Sequence, residues 1–388
     1  MKEPTNWCDL YVHYTDNQES PEVFQFWSAI SVMSSMLGRR VYFERGHFTT
    51  FANQYIFITA ETANTRKSSA SENAVEKIME PIGLVDLMTE RLTTEAICEH
   101  LSSNAVENSV LIFCTELSTF LGAGALQTGK IDMLTSLYSC PAKKDYKTKN
   151  MGKYKLRNIS INILACTTLN WMEDNMPGTT IEGGFIGRVL FIVGETPRCI
   201  DAAMDGGLSL EKQEIKQALQ TDLKRIAGLN GNFKITPLAK QLYKDWYYKL
   251  RTTPITDPRL GGYFGRKGEH VLKVAMALRV AEFDVKSQKD LVLDVQHIQR
   301  AIDELQKVED LMPHAYRGAA YSASSKDNDR IMRQLKKAKN HMMDHSALLK
   351  RNTYYLNGEE FKKVMFTLTD SGQVDEIIDG KRRYYKLK

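Results

Sequence analysis

The stretch whose reading decides the fold is ITAETANTRKSSASENA, Ile58 to Ala74. The apolar run Tyr55-Ile56-Phe57-Ile58 leads into it as a strand would, and Ser69 to Met79 is helix-forming. Lys67-Ser68 stand where a phosphate-binding loop carries its Lys-Ser/Thr pair, while Glu61 and Arg66 occupy the two positions where G-x-x-x-x-G-K-[ST] has glycine. A phosphate cradle needs backbone N–H groups converging at a helix N-terminus and a lysine reaching further oxygens. Asn64 substitutes in part for a glycine, because asparagine tolerates the left-handed backbone region. The expected nucleotide-binding residues are Asn64, Thr65, Arg66, Lys67 and Ser68, with Lys67 on the terminal phosphates and Ser68 on Mg2+. A strand-turn-helix corner capped by a hydroxyl explains the loop as well when it is taken alone.

Outward from the loop, strands and helices alternate. The buried runs SVLIFCT (109–115), ISINILACT (159–167) and VLFIVGE (189–195) read as strands beside 54–60, with helices at 68–79, 93–102, 117–122 and 128–138. Continuous apolar strands separated by helices predict an α/β fold whose parallel sheet is covered on both faces. Upstream, 21–37 has helical spacing and RRVYFERGHFTTF reads as a hairpin. From Ser209 to about Val308 the pattern is helical throughout. The small, polar run 316–328 reads as a linker. Beyond it, three helices and two strands around Asp379-Gly380 follow the order of a winged helix. The expected divisions are thus 1–50, 51–205, 206–315, 316–328 and 329–388.

The bulk composition narrows the class. The chain has 388 residues, of which 43% are hydrophobic and 26% charged. It contains no apolar run long enough to cross a bilayer, and Met1 is followed by Lys-Glu-Pro rather than by a signal core. The six cysteines form no C-x-x-C pair, as expected for reduced cytoplasmic thiols. A net charge of +5 permits a nucleic-acid partner without requiring one.

Three further segments carry chemistry. VLIFCTELSTF ends a strand with Thr115-Glu116, where P-loop ATPases place acidic residues. Glu116 is the candidate catalytic carboxylate, and Thr115 takes the place of an aspartate. ACTTLNW (165–171) offers Thr167, Thr168 or Asn170 to an attacking water or a γ-phosphate; a turn cap explains them equally well. In EGGFIGRVLF (182–191), glycines surround Arg188, a candidate to reach a neighbouring subunit's ATP.

These segments, taken in order, resemble phage- and plasmid-borne P-loop proteins of the primase-helicase-like kind. The matching stretches are FWSAISVMSSMLGRRVYF, NQYIFITAETANTRKSSA, TTEAICEHL, VLIFCTELSTFLG, ACTTLNWM and GGFIGRVLF, across about 22–310. Members typically read Ser-Gly-x-x-Lys-Ser in the loop and Asp-Glu at the second strand. The resemblance implies a RecA/AAA+-like ATPase using ATP and Mg2+, assembled as a homo-oligomer, a hexameric ring. It further implies Lys67 and Ser68 at phosphate and Mg2+, Glu116 as catalytic acid, and Arg188 as a finger in trans.

The nucleic-acid side rests on two basic segments. KKDYKTKNMGKYKLR (143–157) holds seven basic residues and one acidic, and reads as a β-hairpin. By resemblance to superfamily 3 and MCM helicases it would project into a ring channel, with Lys147, Lys149 and Lys153 on single-stranded DNA and Tyr146 and Tyr154 stacking on bases. DGKRRYYKLK puts Lys381, Arg382 and Arg383 on a wing that contacts DNA or, as a rival, protein. HMMDH places His341 and His345 four apart on an expected plain helix. The function expected is a replicative DNA helicase or translocase working beside a separate primase or polymerase. The alternative is a non-hydrolysing DNA-binding initiator or adaptor that keeps the fold as a scaffold.

Overall fold

The computed structural model describes residues 4–60, 65–89, 91–103, 107–122, 129–148, 152–175, 184–194, 196–199, 207–255, 257–315, 323–380 and 382–387. The chain divides into two compact units, 1–319 and 320–388.

The first unit is built on a five-stranded, all-parallel sheet. Its strands are β1 (Tyr55–Ala60), β2 (Asp86–Thr89), β3 (Asn108–Cys114), β4 (Ile159–Thr168) and β5 (Val189–Val193). Their order across the sheet is β2-β3-β4-β1-β5. Tyr55 pairs with Ile163 of β4 on one side and Val189 of β5 on the other, and Asn108 of β3 pairs with Ile159. All residues of β1 and β5 are buried, which explains why both read as unbroken apolar runs rather than alternating ones. Each large side chain withdrawn this way, such as Phe57 or Phe191, contributes about 1.5–3 kcal/mol. β2 is the strand the sequence did not announce. It is a short edge element with an exposed first and last residue, and a half-solvated edge lacks the apolar run that marks the interior strands.

Helix Glu22–Leu37 lies across β1, β3, β4 and β5 and is buried along nearly its whole length. The expected divisions at 50 and 205 do not mark separate cores. One hydrophobic cluster runs from Trp7 through the sheet to helices Leu210–Ala227, Gly261–Ala281 and Val295–Glu309, ending at Ala315. The expected hairpin forms as Val41–Arg45 and Phe48–Phe51, with Gly231–Asn232 added in parallel beside it. Several helices start at side-chain caps: Thr93, Thr236 and Asp294 each accept a backbone N–H.

In the second unit, helices Ala323–Lys337, His345–Asn352 and Gly358–Asp370 surround a small core containing Ile331, Phe361 and Leu368. A three-stranded antiparallel sheet covers them: Met342–Asp344, Arg382–Leu387 in the centre, and Val374–Asp379. Two expectations are corrected here. The linker reading fails from Ala323 onward, where the first helix already runs. HMMDH is not helical: His341 closes a short turn at φ 54, Met342–Asp344 is a strand, and Asp344 caps the next helix by accepting from Ser346 and Ala347. His341 and His345 therefore do not share a helix face.

Candidate functional site

The order of the strands reverses between β4 and β1: from β1 the chain steps towards β2, and from β4 it crosses to β5. In an open parallel sheet such a switch leaves a crevice beyond the carboxyl ends of the two strands. A cleft of about 430 Å³ opens there, lined by Arg66, Lys67, Ser68 and Ser69, by Thr115 to Ser118, and by Cys166, Thr167, Thr168 and Trp171. Segments that are far apart in sequence thus meet across one space.

Ala60 ends β1, and a helix starts at Lys67, widens to a π-turn over Asn73–Met79 and tightens at Glu80–Ile82. Arg66 caps its start with φ 47 and ψ 45, in the left-handed region. An arginine there costs about 1–2 kcal/mol that a glycine would not. Two neighbours hold the conformation. The Ser20 hydroxyl, itself buried, donates to the Arg66 carbonyl at 2.9 Å, and Arg66 Nε donates to Glu19 Oε2 at 2.7 Å. The corner thus keeps the backbone of a glycine with the side chain of an arginine. Asn64 lies outside the described residues. Thr65 is buried.

Across the cleft, the Ser68 hydroxyl approaches the Thr115 carbonyl at 3.5 Å, and Ser71 lies 3.3 Å from Cys166 Sγ. Burial lowers the Lys67 ammonium below the ordinary lysine range, with the Cys166 thiol opposing. Burial pushes that thiol up to about 12, so it faces the cleft as a neutral group. Glu116, exposed at the start of the short helix Leu117–Leu121, is the one carboxylate among the described lining residues. Asn170 is exposed and does not line the cleft. Its neighbour Trp171 does, its backbone N–H donating to the Thr168 hydroxyl at 3.2 Å. The sequence offers no local signal for Trp171, Glu19 or Ser20, since their positions follow from how the elements pack.

Arg188 lies at the other end of the sheet. It closes the turn Ile186–Arg188 just before Val189, the partner of Tyr55. Gly187 makes the turn possible, because a Cβ there would meet the Gly262 carbonyl oxygen at 2.5 Å. Arg188 donates to the Gly184 carbonyl, while its Nε is buried with no hydrogen-bond partner among the described residues. Burial, and then the charge of Arg266, lower its pKa from the ordinary arginine value. Behind it, His270 contacts the Gly187 carbonyl at 3.1 Å and the Tyr138 hydroxyl at 3.4 Å. Lys273 donates to both oxygens of Asn53, at 3.0 and 2.7 Å, under the Tyr138 ring.

The basic segment 143–157 is a two-stranded antiparallel ribbon, Lys143–Thr148 against Gly152–Arg157, that leads directly into β4. Its register separates the faces, because residues opposite one another in an antiparallel pair share a face. Tyr146 pairs with Tyr154, and both pack against the core, next to helix Thr94–Ser102. Both rings are half-buried, so packing on the core takes up part of each face that stacking on bases would need. The other face carries Lys143 with Arg157, Asp145 with Lys155, and Lys147 with Lys153. Asp145 ties down two of the cations, Lys153 at 2.6 Å and Arg157 at 3.2 Å, and those hydrogen bonds hold its carboxyl below the usual range. Lys149 and Lys381 lie outside the described residues. Arg382 and Arg383 are exposed on a strand whose partner is acidic: Asp379 is opposite Arg382, Asp375 opposite Lys386, and Glu376 binds Arg383 at 2.9 Å.

Among the described residues no helix is long and apolar enough to cross a membrane, and no group of three or more His, Cys, Asp or Glu is placed to hold a metal ion. No protein-family model matches the chain, and a search of curated proteins finds no match.

Proposed function

We propose that this chain is a P-loop NTPase of RecA/AAA+ type that works on DNA as an oligomeric ring, an ATP-driven helicase or translocase, with a winged-helix module in residues 320–388. One observation carries the reading: the strand order brings the Lys67-Ser68 corner and Glu116 to opposite walls of one cleft at the switch point of the sheet. The phage or mobile-element setting rests on the sequence resemblance alone.

The lining suits a nucleoside triphosphate. Two cations, Arg66 and Lys67, and a helix N-terminus offer charge and N–H groups to phosphate oxygens. Lys67 neutralises terminal oxygens, and Glu116 orients a water for in-line attack. Ser68 and Glu116 are the groups that would hold Mg2+, which when bound supplies charge neutralisation at the transferring phosphate. Arg188 of a neighbouring copy would stabilise charge that builds on the γ-phosphate. The basic face of ribbon 143–157 grips the backbone of single-stranded DNA, releasing counterions as it does so.

A specific observation favours a second reading, a non-hydrolysing DNA-binding adaptor. Thr115 offers no carboxylate beside Glu116, and the loop corner bears an arginine. ATP turnover with and without single-stranded DNA separates the two. The motor requires DNA-stimulated turnover that falls at least about a hundredfold in Lys67→Ala and Glu116→Gln. A wild-type chain that binds ATP but shows no turnover overturns the motor and leaves the adaptor.

A further inference from the structure

We propose that Arg66 is itself a phosphate ligand, supplying from within the chain part of the charge a divalent cation would bring, so that the cleft holds a nucleoside triphosphate with little dependence on Mg2+. The proposal rests on the nucleotide reading of the cleft. Three features support it.

The first is the cost of the residue. Arg66 keeps a left-handed backbone that glycine would adopt without strain, and Ser20 and Glu19 hold it there. The second is the donor set. Around a ligand with several negative charges, the described residues of the cleft present Arg66 and Lys67 against the single carboxylate of Glu116, with Thr115 and Ser68 bringing hydroxyls. Among the described residues the lining thus offers one hard anionic ligand to a divalent ion and has one cation more than the loop lysine. The third is reach. The Arg66 side chain is 61% exposed, borders the cleft, and is engaged by Glu19 through Nε, the inner nitrogen of the fork. An exposed ion pair contributes little, whereas a guanidinium forked onto phosphate makes two charge-assisted hydrogen bonds. Exchange of Glu19 for phosphate is therefore favourable, and Glu19 acts as the resting partner of the ligand.

Calorimetric titration of the full chain with ATP, in Mg2+ and in EDTA, tests this. In the wild type, replacing Mg2+ by EDTA weakens binding by less than about fivefold. In Arg66→Gly, which fits the left-handed corner, the same replacement weakens it by at least about tenfold, the usual consequence of losing a charged hydrogen bond. Glu19→Gln frees the guanidinium and tightens binding in EDTA by about two- to fivefold. Arg66→Lys, a point charge without the fork, falls between the wild type and the glycine variant, and gives the same reading should Arg66→Gly fail to fold. Wild-type binding that disappears in EDTA, or Arg66→Gly and Arg66→Lys binding in EDTA as the wild type does, overturns the proposal and leaves the nucleotide reading intact. Absence of binding in both media overturns the nucleotide reading itself.

Discussion

Arg188 and Lys67 lie at opposite ends of the same sheet. Arg188 precedes Val189, which pairs with the first residue of β1, while Lys67 lies beyond the last. The six residues of β1 span roughly 17 Å, so the arginine of one chain cannot serve that chain's own cleft. If it acts on phosphate, it does so in a neighbouring copy. Arg188→Ala, expected to lose at least about tenfold in ATP turnover, and Lys67→Ala, expected to lose at least about a hundredfold, should then regain activity when mixed, because some interfaces pair an intact cleft with an intact arginine. Equal activity of Arg188→Ala and wild type would remove the finger.

The ribbon makes a prediction opposite in sign to most. Asp145 occupies the centre of the basic face and binds Lys153 and Arg157. Asp145→Asn should strengthen binding to single-stranded oligonucleotides and steepen its salt dependence. Lys147→Ala and Lys153→Ala should each weaken binding and reduce the log–log salt slope by about 0.7. Fluorescence anisotropy over a salt series reads both, and an unchanged slope in all three variants would exclude the ribbon as a phosphate contact.

Tyr146 separates packing from recognition. It faces Tyr154 on the side turned to the core. Tyr146→Ala should cost about 1–2 kcal/mol of stability in denaturant unfolding. At a temperature where it stays folded, it should bind oligonucleotide as wild type does. Lost DNA affinity with unchanged stability would assign Tyr146 to stacking on bases.

The buried His270 predicts acid sensitivity. Burial lowers its pKa from 6.5 to about 4, despite the Gly187 carbonyl that favours its proton. The unfolded chain takes up that proton near pH 6.5 and the folded chain only near pH 4, so stability is fully present above pH 6.5 and is lost as pH falls towards 4. A contribution of a few kcal/mol across this window should appear as a falling midpoint of thermal unfolding, with a shallower slope in His270→Gln. Equal slopes would assign the acid sensitivity elsewhere.

Arg382 lies opposite Asp379 and Arg383 binds Glu376 within their own sheet. Replacing both by alanine should therefore weaken single-stranded DNA binding less than the pair Lys147→Ala and Lys153→Ala does in the same anisotropy series. A larger loss from Arg382 and Arg383 would place the proposed DNA contact chiefly in residues 320–388.

The interior strands were legible because burial on both faces demands predominantly apolar runs, which β1, β3 and β5 display and which β4 keeps through Ile159, Ile161, Ile163 and Leu164 despite Ser160 and Asn162. The helix start at Thr93 was legible because a cap is a contact over three residues or fewer. β2 was hidden by its place at the edge, and the strand Met342–Asp344 by its brevity.

What the residues alone decided was local: period, caps, and which segments carry Lys67, Glu116 and the basic run. The strand order decided the rest. It set Glu116 across a cleft from Lys67, sent Arg188 to the far end, and turned Tyr146 inward while leaving Lys147 in solvent. Tertiary packing also explains how an arginine stands at a glycine's backbone angles, since the groups that hold Arg66 there come from residues 19 and 20. Strand order, strand pairing and the grip of Glu19 and Ser20 are relations between distant segments. They arise only when burial of the shared core makes one arrangement lower in free energy than its rivals.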